Sequence, residues 1–198
     1  ILPGFSVMEL TREMNWWSDC PESDPWHWRE EIAREGTIAY GKLFRKKSGF
    51  VSREWYPRFA NFRRNGYDFD ARYEDGLSPY KEKRIMDQFE RQEFLFSYEL
   101  KELAGFGKGG EKGFEGAMAN LQMQGYLVIR GMAKRRNRAG KEYGWPVSYY
   151  STSESLFGEA YVRSAYGEAP EESAEKITDH LQKLLPHCTR EEIERAIR

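Results

Sequence analysis

Apolar positions along this chain change their spacing several times, and each change predicts an element. Between Ser78 and Thr152 the changes fall in a connected order. Ser78-Pro79 predicts a helix start, with the hydroxyl as N-cap and proline in the first turn, where its missing N–H costs nothing. Tyr80, Ile85, Met86 and Phe89 then recur on one helical face. After a break at Glu93-Phe94, Ser97 predicts the cap of a second helix carrying Leu100, Leu103 and Ala104, with Gly105 as its stop. The turn Gly107-Lys108-Gly109-Gly110 leads to a third helix with a stripe at Phe114, Ala117, Met118 and Leu121, ended by Gly125. From Tyr126 the pattern becomes β-prone. Tyr126-Leu127-Val128-Ile129 and Trp145-Pro146-Val147-Ser148-Tyr149-Tyr150 flank a polar stretch, which predicts a long hairpin with its tip near Asn137–Gly140. Helix, helix, helix, hairpin is the order of a winged helix-turn-helix.

The flanks are less regular. Up to about residue 77 the chain is rich in aromatic residues and reads as mainly helical. Asp24-Pro25 starts a helix that Gly36 ends, Ile38 to Phe44 is mixed, and Ser52 starts a second helix with Pro57 in its first turn. Trp55, Phe59 and Phe62 form the apolar face of that helix and are expected in the core. Asn65-Gly66 is a turn, and Asp68 to Glu74 can hold one more helical turn. Beyond Thr152, Ser151-Thr152-Ser153-Glu154 predicts a capped short helix over Leu156 to Val162. Pro170 opens an amphipathic helix with Ala174, Ile177, Leu181, Leu184 and Leu185, closed by Pro186. Thr189 and Glu192 cap a last one. The expected class is therefore mainly α (α+β): an aromatic-rich region over 1–77, a winged-helix domain over 78–152 and a helical extension over 153–198.

Composition narrows the possible roles. Charged residues make up 32% of 198 yet nearly cancel, leaving a net charge of −1, so no global field draws the chain to polyanions. Any nucleic-acid contact must come from a local patch. Aromatic residues at 15% argue against disorder, and no apolar run approaches the length of a membrane span. Cys20 and Cys188 lie near opposite ends and fit unpaired thiols of a cytoplasmic protein. Ile1 in place of Met leads us to expect further N-terminal sequence, and no signal peptide is visible.

The local patch is the hairpin. Gly116 to Lys141 contains no acidic residue, whereas Arg130, Lys134, Arg135, Arg136, Arg138 and Lys141 are all basic. Lys134, Arg135, Arg136, Arg138 and Lys141 are the candidate DNA-binding residues, since a basic hairpin can lie over a groove and neutralise phosphates. The bland alternative is a solvated tip whose cations discourage edge pairing. The third helix points away from base reading. Its outer face, Lys112, Gly116, Ala119 and Met123, has few of the Arg, Lys, Asn or Gln side chains that read bases, and its small residues suit close packing. Gly105 to Gly110 lacks the spacing and the Ser or Thr of a phosphate loop. His27, His180, His187 and Cys188 do not make a zinc set, and no nucleophile signature is present. No cofactor or metal is expected, and no catalytic residue can be assigned. The tryptophans between Trp16 and Trp28 read as core or interface mass.

Two stretches resemble a known family. Asp24 to Arg64, with its run FVSREWYPRFANFRR, resembles the segment of AlkZ-like winged-helix DNA glycosylases that follows their catalytic strand. FSYELKELAGFGKGGEKGFEGAMANLQMQGYLVIRG is similar to one winged helix of that family, and still more to the shorter AlkZ-related proteins. The resemblance implies a DNA-bound scaffold that excises alkylated or crosslinked bases. It also implies a Gln-x-Gln or Gln-x-Asp pair upstream of the Asp-Pro helix that places the attacking water. This chain has no glutamine between Ile1 and Asp24; the equivalent region offers Ser6, Glu9, Glu13 and Asn15. Its one Gln-x-Gln is Gln122-Met123-Gln124, where helical geometry would set the side chains about 200° apart. The expected partner is duplex DNA bound without sequence preference. An active glycosylase and a protein–protein or dimerisation scaffold are the alternatives.

Overall fold

The computed structural model of the protein describes residues 5–7, 20, 22 and 25–198, with side chains at 20, 22 and 28–198. Its class is mixed α/β with two small antiparallel sheets. In chain order the elements are β1 (Phe5–Val7), α1 (Pro25–Glu35), β2 (Ile38–Phe44), β3 (Lys47–Ser52), α2 (Tyr56–Arg64), α3 (Phe69–Glu74) and α4 (Tyr80–Met86). Then come β4 (Leu95–Phe96), α5 (Ser97–Leu103), α6 (Phe114–Met123), β5 (Leu127–Arg136) and β6 (Glu142–Thr152). The chain closes with α7 (Ser153–Phe157), α8 (Glu159–Val162), α9 (Pro170–Leu184) and α10 (Arg190–Ile197).

The expected succession over 78–152 is present: three helices, then an antiparallel hairpin. β4, between α4 and α5, pairs with β6, which gives the sheet order β4-β6-β5. Ile85, Leu100, Ala104, Phe114, Met118, Leu121 and Leu127 are buried together and hold the helices on this sheet. Two local expectations fail here. The N-cap of α4 is Pro79, not Ser78, whose buried Oγ has no partner; proline fixes the extended φ that the cap position needs. The N-cap of α5 is Phe96, whose N–H donates to Glu99 at 3.2 Å, so Ser97 lies already inside the helix. Tyr80 and Leu103, expected on apolar faces, are exposed.

The sheet in the first part of the chain was not foreseen. Strands β2 and β3 form a hairpin with β1 on its far edge, order β1-β3-β2, where a mainly helical region was expected. Ala39, Tyr40, Gly41, Leu43 and Phe44 are all buried, so the strand lacks the in–out alternation that marks a half-exposed strand. Its turn is made by Arg45 and Lys46 at φ 48° and 65°, without the usual glycine. Phe59 of α2 is fully buried against this sheet and α9, while Trp55 and Phe62 pack at the margin of the same core. The expected helix over Leu156 to Val162 is split at Gly158 into α7 and α8, and Thr152 caps the first by accepting from the Ser155 N–H at 3.1 Å.

One side chain ties the parts together. Arg64, at the end of α2, is fully buried. Its guanidinium donates to the Gly125 carbonyl at 2.6 Å, Ser153 Oγ at 2.7 Å, Glu154 Oε1 at 2.5 Å and the Tyr166 hydroxyl at 3.2 Å. The Tyr126 ring lies 4.2 Å from it. Gly125 at φ +76° makes the sharp exit from α6 that turns its carbonyl toward both Arg64 and the Tyr56 hydroxyl, the latter at 2.6 Å. Burial would depress the Arg64 pKa, but Glu154 beside it raises it on balance, so the side chain stays charged.

Candidate nucleic-acid interface

The hairpin leaves the core as a buried base and ends as a solvated arm. Leu127, Val128 and Ile129 are buried; from Lys134 to Pro146 every residue is exposed. The tip is a tight turn: the Asn137 N–H donates to the Lys141 carbonyl at 3.0 Å, and Asn137 Oδ1 accepts from the Ala139 and Lys141 N–H groups, both at 3.0 Å. Five candidate residues thus share one arm. Lys134, Arg138 and Lys141 make no ion pair among the described residues. Arg136 pairs with Glu142 at 3.2 Å, and Arg135 lies 4.5 Å above the Tyr98 ring. Both contacts are on the surface, where such a pair is worth about 1 kcal/mol or less. A phosphate can therefore displace them at small cost.

The second basic turn, Arg45-Lys46-Lys47, lies elsewhere. It joins β2 to β3 in the first sheet, whereas the long hairpin belongs to the second.

The outer face of α6 is covered only toward its C-terminal end: Ala119 is buried and Met123 partly so, while Lys112 and Gly116 are exposed. Gln122 is buried, and the Lys42 N–H of β2 donates to Gln122 Oε1 at 3.0 Å. Gln122 Nε2 donates in turn to the Met118 carbonyl at 2.9 Å. The amide oxygen docks α6 on β2, while the nitrogen bonds back to its own helix. Gln124 lies instead toward Glu82, so the two amides of the Gln-x-Gln pair have different surroundings. The positions 9, 13 and 15 that stand where the family's glutamines would be, and Trp16 and Trp17, lie outside the described residues. So do the side chains of Ser6, Trp26 and His27.

Glu82 is the one buried carboxylate of this region. It accepts from Asn120 Nδ2 at 3.3 Å, and its Oε2 has no partner. Burial raises its pKa above the ordinary 4.5, with Asn120, Arg72 and Gln124 acting in the opposite direction. An acid whose pKa is raised by folding binds its proton more tightly in the folded chain. Its contribution therefore favours folding below the ordinary glutamate value and is lost as pH rises through the raised one. Glu82→Gln is expected to raise the unfolding midpoint at pH 7, with the advantage over wild type shrinking toward pH 4.5. A lower midpoint at pH 7 would show that the ionised carboxylate is net stabilising.

Beside α5, Phe94, Leu95, Phe96 and Leu103 line an open groove of about 610 Å³ whose rim carries Glu93, Glu99 and Glu102. These carboxylates repel phosphate, so the groove and the hairpin are chemically distinct surfaces. Among the described residues no three His, Cys, Asp or Glu side chains gather as a metal site, and no helix is long and apolar enough to cross a membrane. Sequence reasoning missed two things here: the exposure of Trp145 and the Tyr98 ring beneath Arg135. The aromatic content of the run Trp145–Tyr150 hinted at the first; nothing in the local pattern hinted at the second.

No curated protein and no solved structure matches the chain. A protein-family model described as AlkZ related, however, matches residues 1–198, extending over the whole chain the resemblance seen in its two most distinctive stretches. On that match the chain belongs to the AlkZ-related family.

Proposed function

We propose that residues 78–152 form a winged helix that binds duplex DNA without sequence preference, in the service of DNA repair. The observation that carries this reading is the exposed hairpin, where five cations face a single carboxylate, Glu142. Element order and the sheet order β4-β6-β5 support the winged-helix assignment. Lys134, Arg135, Arg136, Arg138 and Lys141 contact phosphates, and the gain in free energy comes chiefly from release of the cations condensed on DNA. Phosphate contacts position a protein but carry no sequence information. The helix that would otherwise enter the major groove is docked on β2 through Gln122, and its exposed outer positions, Lys112 and Gly116, offer little to base edges, which fits an absence of base reading.

Direct titration tests this. Two duplexes of unrelated sequence, titrated with the full chain at low salt, are expected to bind with similar affinity. Absence of binding to either would remove the DNA reading and leave the scaffold reading, for which the Phe94–Leu103 groove is the matching surface. A strong preference for one duplex would show that α6 reads bases.

A second reading, base-excision glycosylase, rests on the family match. It requires a water-positioning pair other than Gln122 and Gln124, since Gln122 is committed to Lys42 and Met118. Release of a free alkylated base from duplex DNA, followed by mass spectrometry, decides it.

A further inference from the structure

The exposed aromatic residues of the hairpin have no role in phosphate binding. β5 and β6 pair Ala133 with Val147 and Arg135 with Tyr143, so Lys134 alone faces Gly144, Trp145 and Pro146. Three residues against one must bulge from the sheet. Gly144 adopts φ +73°, a conformation open to glycine, and Pro146 has no N–H to offer the ladder. The bulge drives Trp145 outward until it is 89% exposed, the most exposed large apolar side chain among the described residues. Tryptophan in water is unusual, because its large ring is normally buried.

The surroundings of Trp145 specify a ligand. Phe94 and Leu103, also exposed, stand among carboxylates. Trp145 stands among cations, next to Lys134 across the bulge and two residues from Tyr143, which is itself 51% exposed. Tyr143 is directly opposite Arg135, whose guanidinium covers the Tyr98 ring. Exposed rings set among cations suit a ligand that presents flat aromatic faces and negative charge together. Intact duplex hides its base faces by stacking; unpaired nucleotides offer both.

The geometry points to Trp145, with Tyr143 beside it, as a stacking platform for unpaired bases in DNA, while Lys134, Arg138 and Lys141 hold the flanking phosphates. This rests on the reading that the hairpin contacts DNA and names the DNA structure it prefers. A gap, a bulge or a displaced strand would be held more tightly than continuous duplex.

The full chain is titrated against an intact duplex and the same duplex carrying a two-nucleotide gap, using wild type, Trp145→Ala and Trp145→Phe. Wild type is expected to bind the gapped form about tenfold more tightly or better, the scale of one stacked base. Trp145→Ala should bring the gapped form to the intact-duplex level and leave the intact-duplex affinity unchanged. Trp145→Phe should keep most of the preference, because a phenyl ring still stacks. The thermal midpoint should not move, since the side chain touches little of the fold. Binding to both forms with no preference, or a preference that survives Trp145→Ala, would overturn the platform while leaving hairpin–DNA contact in place. Equal loss on both forms would also overturn it, by making Trp145 a general duplex contact. No binding to either form would remove the DNA reading and the platform together.

Discussion

Replacing Arg64 with alanine is expected to destabilise the chain by about 3–5 kcal/mol, the range for removing one partner of a buried ion pair. The loss has several parts. Glu154, whose side chain is 24% exposed, loses its cation; the Gly125 carbonyl and Ser153 Oγ each lose a donor; and the Tyr126 ring loses the charge above it. The Gly125 carbonyl still accepts from Tyr56, so it is not orphaned. Ser153 also meets the end of α6 through its N–H, which donates to the Tyr126 carbonyl at 3.1 Å, so loosening at Arg64 reaches β6 and α7. Urea unfolding at neutral pH measures the effect. A shift below about 1 kcal/mol would mean that Arg64 contributes little net stability despite its burial. Arg64→Met paired with Glu154→Gln should cost less than Arg64→Ala, because no buried charge is then left uncompensated.

That hub was not legible in the sequence, and the reason is physical. Arg63-Arg64 before Asn65-Gly66 has the composition of a solvated helix end, where cations favour the C-terminal dipole. Nothing in the local pattern separates Arg63, held by the Leu43 carbonyl, from Arg64, held by four groups brought in from later in the chain. The β2–β3 hairpin escaped for a related reason. Strands covered on both sides lose the alternation of period two, and a turn made by Arg45 and Lys46 lacks the glycine that announces hairpins. Over 78–152 the local signals agreed with the final packing, so Gly105, Gly125 and the change of period after Tyr126 marked real boundaries. Tyr80 and Leu103 show the limit of that agreement: apolar side chains at helical spacing were exposed because no neighbouring element covers them. For the interface, the acid-free stretch over 116–141 led directly to an exposed basic arm. The bulge at Gly144–Pro146 depends on cross-strand register, which the hydrophobic pattern did not specify.

The second large effect concerns DNA. Changing Arg135, Arg136, Arg138 and Lys141 together to alanine should weaken binding alike for unrelated duplexes, because phosphates look the same in every sequence. Four neutralised phosphates account for a fall in wild-type affinity of about two orders of magnitude between 50 and 200 mM salt, a share that the variant, which keeps Lys134, should lose. Stability should move by no more than about 0.5 kcal/mol, since all four side chains are exposed. The Arg136–Glu142 pair and the Arg135–Tyr98 contact are surface contacts and do not change that expectation.

The slope of affinity against salt tests the central claim most directly. Binding of wild type and the fourfold variant to one duplex is measured at several salt concentrations and plotted on logarithmic axes. Hairpin-mediated phosphate contact predicts a steep wild-type line and a variant line flatter by roughly three to four units, near 0.9 per lost contact. Parallel lines, or a wild type with no affinity even at the lowest salt, would contradict it.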